Sequence, residues 1–246
     1  MINIVIKGIK LIMIGIKRRI LMIRDITKNG FTLAEVLITI GIIGVVAAIT
    51  IPHLIQENQK RATVTKLQKA ISILNQAYRL SFEELGEPSE ADLIGLNSKD
   101  YFDKYWAPYI KSALYCSDYN VCGYVSKNPY YTDESHQGAT MDSVGYVRPI
   151  FYTHDGILYI LSAESSDIID NYSWSVTVDL NGKEGPNMYG RDVFAFSRLG
   201  DKGIVPAGYN LDNSEVNENC SGIGYKRLCA EKIRRAGWRI EKDYTW

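Results

Sequence analysis

KNGFTLAEVLITIGIIGVVAAITIP, residues 28–52, holds a single carboxylate, Glu35, near the start of an otherwise uncharged run from Phe31 to Ile51. As a helix, those 21 residues would extend about 31 Å, close to the roughly 30 Å hydrocarbon core of a bilayer. The apolar region of a secretory signal is shorter, about 7–15 residues, and ends at a small-residue cleavage site. Here Pro52-His53 follows instead, so the stretch reads as a retained anchor. An acid inside such a span costs about 2–3 kcal/mol unless it is partnered, and is functional by default. The plainer alternative is that Glu35 snorkels to the nearby interface.

Charge orients the anchor. Residues 1–30 carry seven Lys/Arg (Lys7, Lys10, Lys17, Arg18, Arg19, Arg24, Lys28) against Asp25 alone, whereas residues 31–246 carry a net −6. The positive-inside rule then places residues 1–30 in the cytoplasm and everything beyond about residue 52 outside. A mildly acidic body argues against nucleic acid as a partner, because phosphate neutralisation needs clustered Lys/Arg. All four cysteines, Cys116, Cys122, Cys220 and Cys229, lie beyond the span, and an even count in an extracytoplasmic region reads as disulfides. Of the three possible pairings, the two short loops, Cys116 with Cys122 and Cys220 with Cys229, are preferred. The C-x5-C and C-x8-C spacings are unlike the C-x2-C usual for zinc.

Gly30-Phe31-Thr32-Leu33-Ala34-Glu35, preceded by basic residues and followed by the apolar run and Pro52, resembles the processing site of type IV prepilins and type II secretion pseudopilins. The resemblance in motif covers about residues 28–55. It implies that a prepilin peptidase cuts between Gly30 and Phe31 and methylates the new Phe31 amine. It further implies that Glu35 of an incoming subunit meets the Phe31 amine of one already in a fibre, and that the partners are other pilin or pseudopilin subunits, an assembly ATPase and a platform protein. Physical chemistry is consistent with this: an unpaired charge in an apolar bundle costs far more than a misplaced apolar contact, so the pair would register subunits. The leader departs from the family pattern, since Ile2–Ile6, Leu11–Ile16 and Ile20–Ile23 are apolar runs broken by Lys and Arg. We expect Met22 as the true start, giving the leader MIRDITKNG.

Past Pro52 the pattern stays helical. Val64, Leu67, Ile71, Leu74, Tyr78, Phe82 and Leu85 recur at 3–4 spacing, with Lys60, Arg61, Lys66, Gln68, Lys69 and Arg79 on other faces, and Gly86 and Pro88 end the run. One long helix, kinked at Pro52, is expected. YVRPIFYT and GILYILSA flank His154-Asp155-Gly156 as a hairpin, SWSVTVDL alternates as a half-buried strand with Trp174, Val176, Val178 and Leu180 inward, and RDVFAFSRL reads as a fourth strand. The expected fold class is α+β: a long transmembrane N-terminal helix packed on an antiparallel meander of about four strands, which is the pilin architecture. The expected divisions are a leader (1–30), an assembly helix (31–52), its amphipathic half (53–86) and an extracytoplasmic head (87–246) with its sheet over about 147–205 and a C-terminal disulfide loop like that of many pilins.

Within the head, residues 87–146 read as an insertion. It holds a short helix around Tyr101–Leu114 whose Phe102, Tyr105, Trp106, Tyr109 and Ile110 read as core. Tyr119, Tyr130 and Tyr131 are candidates for exposed, adhesive positions. After the meander, GIVPAG leads into a polar loop, then the second cysteine pair and a basic helix ending in GWRIEKDYTW. VDLNGKEGPNMYGRDVF, residues 178–194, offers Asp179, Asn181, Glu184, Asn187 and Asp192 as hard oxygen ligands. It lacks the EF-hand register, so tight turns are favoured over calcium and no cofactor is expected. The three histidines, His53, His136 and His154, stand in no hydrolase or metalloprotease motif, so no enzyme is expected. The expectation is thus a fibre subunit, set against a membrane-anchored binding module that does not polymerise.

Overall fold

The computed structural model describes residues 31–87, 98–117, 120–123, 150–161, 176–199, 202–222 and 224–246. The leader with Gly30, residues 146–149 and 173–175 (including Trp174) of the expected strands, His136 and Tyr119, Tyr130 and Tyr131 lie outside the described residues. Two compact units divide the chain, one ending at Leu54 and the other running Ile55–Trp246.

Helix α1 spans Leu33–Leu85 and includes Pro52. Its length and composition suffice to cross a membrane, and none of its most apolar window is buried. In the second unit, α1 buries Val64, Leu67, Ala70, Leu74, Ala77, Tyr78 and Ser81. The apolar stripe is therefore shifted from the expected one. Ala70, Ala77 and Ser81 seat the helix, whereas Phe82 and Leu85 turn outward at 46% and 40% exposure. Small side chains at the contact line let helix and sheet approach closely, which the hydrophobic pattern alone does not register.

The sheet is antiparallel and six-stranded, in the order β1(Leu114–Cys116), β2(Ile150–Tyr152), β3(Leu158–Leu161), β4(Val176–Asp179), β5(Val193–Leu199) and β6(Gly203–Pro206). The meander is as expected, but it gains β1 from the insertion and β6 from GIVP. The hairpin at His154-Asp155-Gly156 is present, with Ile150 paired to Ile160 and Tyr152 to Leu158. One face, with Phe151, Tyr159, Val176, Val178, Phe194 and Phe196, shares a core with α1. Phe151 and Tyr159 stack on adjacent strands with centroids 4.8 Å apart. The helix α2(Ser98–Tyr105) brings Tyr101, Phe102 and Tyr105 into the same core, joined by Trp106 just after it. It stops at Tyr105 rather than Leu114, and a 3-10 turn over Ala107–Tyr109 containing Pro108 follows, in keeping with the helix-breaking preference of a residue before proline.

Strand β4 is not half-buried. Thr177 and Asp179, on its second face, are 7% and 0% exposed. That face carries Leu158, Ile160, Val193 and Ala195, and is covered by Ala207, Leu211, Val216 and Leu228. The polar loop after β6 contains a helix, α3(Asn213–Asn219), opened by a capping box between Asp212 and Glu215. The basic helix α4 spans Cys229–Arg235, and the remaining C-terminal residues are non-helical.

The last strand needs a partner for its outer edge. Ala207 N–H bonds Ala195 O at 3.0 Å, a phase that turns the Ile204 N–H and C=O outward. Asn75 of α1 satisfies both: Ile204 N–H donates to Asn75 Oδ1 at 2.9 Å, and Asn75 Nδ2 donates to Ile204 O at 2.7 Å. Pro206, two residues on, has no N–H to leave unpaired. Gly203 has φ 76°, and a Cβ there would lie 2.4 Å from Asn75 Oδ1. Across the sheet, Lys69 of α1 pairs with Asp155 at 2.6 Å.

Two outcomes follow for urea unfolding of the detergent-solubilised chain. Asn75→Ala strands a buried N–H and C=O and is expected to lose about 2–3 kcal/mol, with Gly203→Ala also destabilising. Burial pushes the Asp155 carboxyl up, but bonds from Lys69 and the Thr153 hydroxyl outweigh it and hold the group below the usual carboxylate range. A lowered folded value gives stability that is present above the unfolded value, about 3.9, and lost as pH falls through the folded one. Wild type is therefore expected to lose more stability than Asp155→Asn on acidification below pH ~4, by up to about 1 kcal/mol.

Candidate functional site

The first unit is an apolar helix that begins with a defined cap. Phe31 and Thr32 precede α1, and Val36 N–H donates to Thr32 O at 3.3 Å, so Thr32 stands at the N-cap. Glu35 N–H donates to Thr32 Oγ1 at 3.3 Å, while Thr32 N–H donates back to Glu35 Oε2 at 2.9 Å. This reciprocal pair is a capping box. The Thr32 hydroxyl also bonds Glu35 Oε2, at 2.8 Å. Thr32 was not among the residues read as functional, although the pattern T-x-x-E at 32–35 is the sequence signature of such a box.

Beyond the cap, the described residues up to Ile51 offer a largely apolar surface. Phe31 is 88% exposed, Leu33 77% and Ile49 71%. Thr39 and Thr50 turn their hydroxyls onto Val36 O and Val46 O, each at 2.9 Å, so these polar groups are satisfied within the helix, as a lipid environment requires. Pro52 lies within the helix; lacking an N–H, it leaves the Ala48 carbonyl without its usual donor.

In the second unit the cysteines pair as expected. Cys116 joins Cys122 and Cys220 joins Cys229, with Cα–Cα separations of 5.6 and 5.0 Å. The Cys220–Cys229 bridge links the end of α3 to the start of α4, whose first turn carries Glu231, fully buried. Glu231 accepts from Arg234 at 2.7 and 2.6 Å and from Arg235 at 2.7 Å. Arg235 in turn donates to Leu211 O and Asn213 Oδ1, both at 2.7 Å. The C-terminal tail closes over this layer: Tyr244 OH donates to Gly190 O. Gly190 has φ 81°, and a Cβ there would meet Cys229 Sγ at 2.9 Å.

The oxygen-rich loop is organised around Asp192. Its carboxylate accepts Met188 N–H at 2.6 Å and Asn187 N–H at 2.9 Å. Burial pushes the Asp192 carboxyl up, and those N–H groups and the Asn181 amide oppose the shift. Asp179 Oδ1 accepts Asn181 N–H at 3.2 Å, and Asn181 Nδ2 bridges to Gly185 O at 3.2 Å. Glu184 is exposed. Two buried amide oxygens, of Asn181 and Asn187, accept no hydrogen bond. Among the described residues no group of three or more His, Cys, Asp or Glu could hold a metal. The arrangement is that of turns stapled by a buried carboxylate. His53 and His154 are both exposed.

The comparisons divide the chain at the same place as its composition. Residues 27–51 match the model of the prokaryotic N-terminal methylation motif. Residues 53–246 match the model of a family of unknown function, DUF6613. No curated protein and no solved structure matches the chain. The first match bears out the resemblance to type IV pilin and pseudopilin precursors that FTLAE carries, and both disulfides and the apolar helix accord with it.

The loop makes a definite expectation for calcium. Calorimetric titration of the detergent-solubilised chain with calcium is expected to give no heat of binding. Asp192→Ala is expected to lower stability by about 1–3 kcal/mol, equally with and without calcium. A stabilising effect of calcium that Asp192→Ala abolishes would contradict the turn reading.

Proposed function

The chain belongs to the family of unknown function DUF6613, and from that premise and its methylation motif we propose that it is a structural subunit of a type IV pilus or type II secretion pseudopilus rather than an enzyme. The observation that carries this reading is the match of residues 27–51 to the prokaryotic N-terminal methylation motif, on a helix whose apolar half is long enough to span a bilayer. The precursor is cut after Gly30 by a prepilin peptidase and methylated at the Phe31 amine. Until assembly it is held by α1 in the cytoplasmic membrane, with the leader in the cytoplasm and the head outside. An assembly ATPase and a platform protein then move it into a filament of like or related subunits, at the cell surface or in the periplasm.

Energetics gives Glu35 its place in that scheme. Moving an apolar helix from lipid into a bundle of apolar helices exchanges one dry environment for another, so burial adds little and close packing must do the rest. A carboxylate is different, because leaving it unpaired in such a bundle is costly. Pairing with the Phe31 amine of a neighbouring subunit selects one register among many apolar ones. The head's fold is closed on both sheet faces, and its two disulfides suit it to an oxidising compartment.

Intact-mass and N-terminal peptide mass spectrometry of the protein from its own membrane tests the reading. We expect a mature chain beginning with N-methyl Phe31, and a Glu35→Val variant that is processed but enters filaments at least ~10-fold less, in line with an uncompensated charge partner. A chain that keeps residues before Phe31 in a host with an active prepilin peptidase would refute it, leaving a membrane-anchored binding module that does not polymerise.

A further inference from the structure

We infer that Thr32 is the positioning residue for Glu35: it holds the carboxylate by one oxygen within its own chain, before and after the leader is removed, and leaves the other oxygen for the neighbouring subunit. The inference rests on the assembly reading above but begins from a separate observation. The amine that Glu35 would meet does not exist in the precursor, where the Phe31 nitrogen is still an amide. Among the described residues, the groups that engage the Glu35 carboxylate are the Thr32 N–H at 2.9 Å and the Thr32 hydroxyl at 2.8 Å. Neither is altered by cutting the Gly30–Phe31 bond, because Thr32 keeps its amide when Phe31 becomes the first residue.

Both bonds end on the same atom, Glu35 Oε2. The return bond, from Glu35 N–H to Thr32 Oγ1 at 3.3 Å, closes the box. Oε1 receives neither bond, so it can accept a neighbour's ammonium without the box opening. A carboxylate has about four lone-pair positions, and splitting them this way resolves two demands. Within the precursor the acid is hydrogen-bonded at the edge of an apolar helix, which lowers its cost in a membrane. In the filament its direction is already set, so less side-chain freedom is lost when the intersubunit pair forms.

The test uses the full-length precursor and three substitutions. In a peptidase-null host, the precursor is purified in detergent micelles and amide hydrogen exchange is read at positions 32 and 35. Thr32→Val removes the hydroxyl while nearly keeping the shape, and is expected to speed exchange at the Glu35 amide by about fivefold, the usual worth of an N-cap. Thr32→Ser is expected to match wild type. Glu35→Gln, which can still close a capping box, is expected to keep the Thr32 amide protected. Wild-type exchange at Glu35 in Thr32→Val would overturn the inference.

In a peptidase-competent host, Thr32→Val is expected to be cut and methylated normally but to enter filaments about fivefold less, with Thr32→Ser restored. Thr32→Val entering filaments as well as wild type would also overturn it. Should wild type itself form no filament while the exchange pattern holds, the assembly reading would fail and the box would stand, so the two failures are separable.

Discussion

Burial of the stripe Val64–Leu67–Ala70–Leu74–Ala77–Tyr78 against the Phe151, Val176, Val178, Phe194 and Phe196 face of the sheet is the contact from which the rest of the head is organised. Six short antiparallel strands have little stability of their own and need a covered face. The helix provides that cover, and its small residues at the line of contact let it lie close. Polar contacts then fix the helix along and across the strands: Asn75 on the backbone of β6, Lys69 on the β2–β3 turn and Lys66 on the Leu180 carbonyl after β4. Hydrophobic packing tolerates sliding, whereas a two-point amide bond to one peptide does not.

The second face of the sheet is covered by Ala207, Leu211, Val216 and Leu228, which open the last forty residues. Their short helices would not be stable alone. They are held by a disulfide, by a buried carboxylate with two arginines and by a tyrosine hydroxyl on the Gly190 carbonyl. Removing one partner of such a buried ion cluster costs far more than the cluster itself contributes, so Glu231, Arg234 and Arg235 act as a unit. The outcome is a head in which β3, β4 and β6 are buried on both faces, which is unusual for an antiparallel meander.

The N-terminal half of α1 works by the opposite logic. Nothing in its apolar window is buried, and its hydroxyls bond back to its own carbonyls. Glu35, the one acid of the apolar run, is held by its own cap. The Glu35 carboxylate and the hydroxyls of Thr32, Thr39 and Thr50 are thus all bonded within the segment itself. Such a segment is compatible with lipid and with a bundle of similar helices alike, and that dual compatibility is what a subunit moved from membrane to filament requires.

Local pattern made much of this legible in the sequence. The span, the FTLAE motif, the α+β class, the β2–β3 hairpin and both disulfide pairs are written in neighbouring residues: a run of apolar side chains, a turn chemistry, two short cysteine spacings. Thr32 is equally local, as the first residue of T-x-x-E, but its role lies in the cap and not in the charge that marks Glu35. Tertiary structure decided what local pattern does not encode. Strand β1 and strand β6 exist because partner strands lie beside them. Thr177 and Asp179 are buried because a layer from residues 207–228 arrives over them, although alternation of polar and apolar residues marks that face as wet. Asn75 reads as a surface residue until the edge of β6 is beside it, 129 positions on in the chain. A hydrophobic pattern records which residues leave water in a lone element; which polar groups can leave with them depends on the hydrogen-bond partners that only the folded chain brings near.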